Sequence, residues 1–166
     1  MIGLATSTAI GTAAERSWLS AFRRYMAFVA SASLIWEIAH LPLYSIWLTA
    51  TPPELAFAVF HCTGGDILIA LSSLTLALIA VGSPGWPRES RRPVLVLTVL
   101  IGVGYTIFSE WLNIEIRQAW AYRDIMPVLP LVGVGLSPLL QWAVIPVAAS
   151  LWAWRAPANL GRPAHD

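Results

Sequence analysis

The chain has 166 residues, 57% of them hydrophobic and only 11% charged, with a mean hydropathy of +0.68. Soluble domains carry about 25% charged residues, so a soluble globular class is excluded. The net charge is +1, and no nucleic-acid partner is expected. A membrane-spanning helix takes ~20 residues, so this length accommodates four spans and their connections. The expected fold is an all-α integral membrane protein, a four-helix transmembrane bundle.

In chain order, residues 1–24 form a cytoplasmic or interfacial N-terminal segment. Its first dozen residues are small and polar, and Trp18 and Phe22 then lie four apart beside Arg23 and Arg24, as in a short interfacial helix. No apolar stretch ends in a cleavage site, so the first span is expected to stay as an anchor. The membrane domain covers residues 25–154. Span 1 is placed at residues 25–48. Pro52 and Pro53 then open span 2, residues 55–81, because proline suits a first helical turn. Gly82, Pro84, Gly85 and Pro87 interrupt the chain, and Arg88, Arg91 and Arg92 charge the resulting loop. Span 3 is placed at residues 94–117, its outer part amphipathic towards Tyr122. A connection closed by Pro127 and Pro130 leads to span 4, residues 131–154, whose Pro138 and Pro146 a spanning helix tolerates. Residues 155–166 form a cytoplasmic tail.

Arginine sets the expected orientation. All ten basic residues are arginine, and eight of them fall in the two termini and the central loop. By the positive-inside rule both termini are cytoplasmic. The expected location is a bacterial inner membrane, with the site facing the periplasm or exterior. Expected partners are the bilayer and either other membrane subunits or further copies of the chain.

The chemistry concentrates in residues 36–44, Trp-Glu-Ile-Ala-His-Leu-Pro-Leu-Tyr. On a helix Glu37, His40 and Tyr44 share one face. Ionisable groups inside a span cost ~2.5–3.5 kcal/mol each on insertion scales and mark functional sites. At 1.5 Å per residue, His40 lies ~14 Å below the outer surface, Glu37 ~4 Å deeper and His61 ~10 Å down. On the same basis Asp66 falls near mid-membrane, Glu110 near the outer boundary and Gln141 level with His40. Glu37, His40, His61, Asp66 and Glu110 are therefore expected to line one outward-facing cavity, with Glu37, Asp66 and Glu110 as its proton-handling groups.

Several functions use such a set. Glu37-x-x-His40 has the spacing by which helical bundles aim a carboxylate and an imidazole at one metal. His61, Asp66 and Glu110 would complete the shell, with Cys62 as a softer ligand. A di-iron centre needs two such motifs, and the chain has one, so the expected metal site is mononuclear, for iron, copper or zinc. That makes the chain a membrane metal-binding protein, either an oxidoreductase component or a metal-handling accessory. A bis-histidine haem on His40 and His61 is a further reading, disfavoured by the acidic neighbours. The main alternative is a cofactor-free enzyme doing acid–base chemistry on a lipid-like substrate. Sterol isomerases of the emopamil-binding type are similar in span count and residue types, but the order and spacing here differ and no family is assigned. Transport is disfavoured, since the four spans show no inverted repeat.

Other residues have structural readings. Glu115, Arg117, Arg123 and Asp124 are expected as solvated boundary charges. Tyr44, Trp47, Trp111, Trp120 and Tyr122 are expected in an outer aromatic belt. Gly64, Gly65, Gly102 and Gly104 are expected at close helix contacts. Residues 120–142, with Trp120, Tyr122 and Trp142, are read as a segment capping the cavity.

Overall fold

The structure, a computed structural model, describes residues 2–82 and 85–155, with side chains from Trp18 onward. Helix α1 (Ile2–His40) ends where Pro42 removes a backbone donor and restricts the residue before it. A 3₁₀ turn (Leu41–Leu43) and the short α2 (Ile46–Thr49) follow. Helix α3 (Pro52–Val81) starts on Thr51, whose backbone N–H donates to Glu54 Oε2 at 2.7 Å. It stops at Gly82, which takes a left-handed φ of +62°, a conformation open to glycine at little cost. Helix α4 (Arg91–Trp111) runs straight into a π-helical turn (Leu112–Ile116). Strand β1 (Val128–Leu129) pairs antiparallel with β2 (Val134–Gly135), Val128 opposite Gly135. Helix α5 (Leu136–Ala153) holds Pro138 in its first turn and Pro146 inside.

Among the described residues four helical stretches are long and apolar enough to cross a membrane: Trp18–Leu43, Pro52–Val81, Arg91–Ile116 and Leu136–Ala153. Three boundaries differ clearly from expectation. The first apolar stretch starts at Trp18, not 25, because α1 runs unbroken through the residues read as an interfacial segment. The first apolar stretch ends at Leu43, not 48, because of Pro42. The last starts at Leu136, not 131, because residues 128–135 are spent on the strand pair.

Helix α1 packs on α3 and α5, and α4 packs on the same two, closing a four-membered ring. Tyr25, Val29, Ala70, Leu74, Ala77, Val94 and Ala149 fill its core. Ile35, Phe57, Phe60, Ile79 and Leu100 point outwards and are exposed, as an apolar solvent requires. A Cβ on Gly102 would stand 2.3 Å from the Trp142 ring, so glycine there lets α4 and α5 approach. Gly64, Gly65 and Gly104 have nothing within 4 Å of such a Cβ; the expected close contact exists at Gly102 and not at those three.

One end of the bundle gathers arginines. Trp18 meets Trp86 edge-on with ring centres 6.4 Å apart, Arg24 donates to the Arg155 carbonyl, and Arg91 sits 5.6 Å over the Trp154 ring. The start of the apolar part of α1, the α3–α4 connection and the end of α5 therefore lie together. Arg117 and Arg123 lie at the opposite end, with the site.

Candidate functional site

Three helices meet in one buried hydrogen-bonded group. From α1, spacing by three residues turns Glu37 and His40 the same way, and His40 Nε2 lies 3.1 Å from Glu37 Oε2. The other ring nitrogen, Nδ1, lies 3.0 Å from Ser137 Oγ at the start of α5, which also accepts from Trp36 Nε1 at 3.3 Å. One turn further along α5, Gln141 Nε2 donates to Glu37 Oε1 at 3.3 Å and to Asp66 Oδ2 of α3 at 2.5 Å. Glu37, His40, Asp66 and Gln141 are each no more than 8% exposed. Buried carboxylates are costly without such partners. A single amide nitrogen here holds two of them together.

Helix α4 adds Glu110, which accepts a hydrogen bond from the Tyr122 hydroxyl; that hydroxyl in turn accepts from the Gly135 backbone N–H at 2.9 Å. The π turn follows directly, and such turns are frequent at functional sites. It keeps Asn113 buried, donating to the Ser109 carbonyl at 2.8 Å and accepting from Arg117 Nη1 at 3.3 Å.

Residues 117–135 lie over this end as a cap, tied to the chain that leaves α1. Ser45 N–H donates to the Ala121 carbonyl and Arg123 N–H to the Leu43 carbonyl, each at 2.9 Å. Arg123 Nη1 donates to the Pro42 carbonyl at 2.7 Å, so Arg123 is a tether rather than a solvated boundary charge. Tyr44 is buried, its ring 5.3 Å from His40 and 5.5 Å from Tyr122. Neither Tyr44 nor Tyr122 belongs to an outer belt; Trp47 and Trp111 are exposed as belt residues would be. Burial, with Glu110 nearby, raises the Tyr44 phenol well above its ordinary value. Burial, then the hydrogen bond to Glu110, does the same for Tyr122. Because α1 ends at His40, the cap shelters the imidazole, and further turns of helix do not.

A cavity of about 490 Å³ opens beside the network, within the size range of small-molecule sites, and Glu37, His40, His61, Asp66 and Glu110 all line it. They are not equivalent. His61 is exposed, its ring stacked on Phe57 at 5.5 Å, and Cys62 is a half-buried free thiol. Among the described residues no three His, Cys, Asp or Glu side chains are grouped to hold a metal ion. Both nitrogens of His40 already face protein partners, which also ill suits axial ligation of a haem shared with His61.

Ser137 and Tyr122 were not foreseen in the network. A serine followed by Pro138 marks a helix start, which is the one sequence signal that could have found Ser137. Nothing local distinguishes Tyr122 from an interfacial aromatic.

Compared with protein families, with curated proteins and with solved structures, the chain shows no significant match. Its function must be read from its own residues.

Proposed function

We propose that the chain is a membrane-embedded enzyme that carries out acid–base chemistry on a lipid-like substrate. The observation that carries this reading is the buried network of Glu37, His40, Asp66 and Gln141 facing a cavity that is polar at one end and apolar at the other. The simplest reaction of that kind is an isomerisation. One group of the His40–Glu37 pair takes a proton from one atom of the substrate, a second group such as Asp66 or Glu110 returns a proton at another, and the formula is unchanged. Positioned groups of this type contribute ~10²–10⁴-fold each. Gln141 and Ser137 orient the reacting side chains, and the cap keeps water from the exchanging proton.

We further place both termini in the cytoplasm and the site towards the periplasm or exterior of a bacterial inner membrane. Support comes from Arg23, Arg24, Arg88, Arg91, Arg92 and Arg155, which share one end of the bundle, away from the cavity. A metal-binding role has no comparable support, since the donors are turned towards one another.

The test compares lipid extracts of cells expressing the wild-type chain or Glu37→Gln. The expected result is a pair of lipids of identical mass and different retention, whose ratio depends on the wild-type chain. Identical profiles in both strains, with a transition metal bound near stoichiometrically to the purified wild-type protein, would overturn the proposal in favour of metal binding.

A further inference from the structure

The cavity does not end at the hydrogen-bonded network. It continues along the seam between α3 and α4, where Leu68, Ile69, Leu76, Ile101 and Tyr105 form its walls. Leu68, Leu76 and Tyr105 are 64%, 52% and 48% exposed, so this lower part is a furrow open on the outer face of the bundle. The cap lies over the opposite end, tethered through Arg123 on the Pro42 carbonyl and Tyr122 on Glu110. From Cys62 to Leu76 the wall runs for ~21 Å along α3 at 1.5 Å per residue.

The two ends of this space differ in chemistry. At the capped end stand three carboxylates, Glu37, Asp66 and Glu110, against one guanidinium, Arg117, which is already directed at Asn113. Carboxylate oxygens accept hydrogen bonds, and like charges repel more strongly away from water. An anionic head group is poorly suited there, whereas one that donates hydrogen bonds is well suited.

We propose that the occupant is a single-chain amphiphile with a hydroxyl or amine head, entering sideways from the bilayer between α3 and α4. Its head reaches the carboxylates and its chain lies along Leu68, Leu76 and Tyr105. The inference rests on the acid–base reading for what happens to the head and names the substrate class and its route.

Gly65 provides the test. It lines the cavity, and a Cβ there meets nothing within 4 Å, so Gly65→Leu directs its side chain into the passage. Leucine also favours the helix over glycine. The full chain is placed in phosphatidylcholine vesicles with a diazirine-bearing hexadecanol or the matching hexadecanoic acid. Light-induced adducts are then mapped by peptide mass spectrometry. The alcohol should label the Leu68–Leu76 and Tyr105 peptides about ten-fold more than the acid does, and Gly65→Leu should remove about that factor, the equivalent of one lost favourable contact. The melting temperature of Gly65→Leu should be no lower than wild type.

Three results would overturn the proposal. The seam could label no more than the outer face of α1 at Ile35 and Ile38, the acid could label it as well as the alcohol, or dimers crosslinked through the seam could show a second copy filling it. Seam labelling in a protein that interconverts no lipid would refute the acid–base reading and leave lateral entry standing. Interconversion without seam labelling would do the reverse.

Discussion

The two halves of the bundle are held together by different means. In the arginine-rich half the helices meet through Tyr25, Val29, Ala70, Ala77 and Ala149, all essentially without exposure. Two hydroxyls there bond within their own helix: Ser73 donates to the Ala70 carbonyl and Thr98 to the Val94 carbonyl. In the capped half the helices meet through side-chain hydrogen bonds that join α5 to α1 and α3. In a membrane no hydrophobic effect drives helices together, so close packing of small residues and interhelical hydrogen bonds share that task. Here they are separated along the axis. The packed half fixes the helix positions, and the polar half can then hold three carboxylates that would be costly in a looser frame.

That division can be broken from either side. The largest effect is expected in the polar half. On the proposed reading His40→Ala or Asp66→Asn lowers lipid interconversion by ~10²–10⁴-fold while thermal unfolding still reports a folded bundle. If the activity loss merely tracked loss of folded protein, the network would be structural only. Next in size is Gly102→Leu, which drives a side chain into the Trp142 ring. Overpacking of this kind costs ~1–3 kcal/mol, read as a lower melting temperature in detergent, and activity per folded molecule should fall far less than in His40→Ala.

How far this division could be read from sequence follows from what sets each feature. The four apolar stretches and the gathering of arginines at one end follow from composition along the chain. The ends of the helices moved because Pro42 and the strand pair at residues 128–135 act through backbone geometry that hydropathy does not register. Glu37, His40, Asp66 and Gln141 stood out because such residues are rare in apolar helices. Ser137 and Tyr122 are ordinary at helix ends, and only the path of the cap turns them inward. His61 lines the expected cavity but stands outside the buried network. The buried face of α3 carries Val59, Thr63, Asp66 and Ala70, and a residue two positions from Val59 points away from it.

Smaller effects sharpen the role of the cap. Tyr122→Phe removes the hydrogen bonds to Glu110 and from Gly135, each worth about 0.5–1.5 kcal/mol. Amide exchange across residues 121–135 should quicken, with α1 and α3 near Tyr25 and Ala70 unchanged. The smallest effect depends on pH. Both Tyr44 and Tyr122 have phenols raised above the ordinary value, so the folded cap holds those protons more tightly than the unfolded chain. Their contribution is fully present below about pH 10 and is lost as pH rises further. Cap exchange rates should show no change from this source through neutral pH and rise in strong alkali; in Tyr122→Phe that alkaline rise should shrink.

In the proposed function depth and burial make one carboxylate different from another, and one measurement addresses this directly. Wild type, Glu37→Gln and Glu115→Gln are reconstituted in vesicles of the host's total lipid in deuterated water, and deuterium uptake into carbon positions of the lipids is followed by mass spectrometry. Glu37 is buried and bonded to His40 and Gln141, whereas Glu115 is exposed. The expected result is uptake into a defined lipid with wild type and with Glu115→Gln, and a loss of ~10²-fold or more with Glu37→Gln. Full uptake with Glu37→Gln, or its loss with Glu115→Gln, would contradict it.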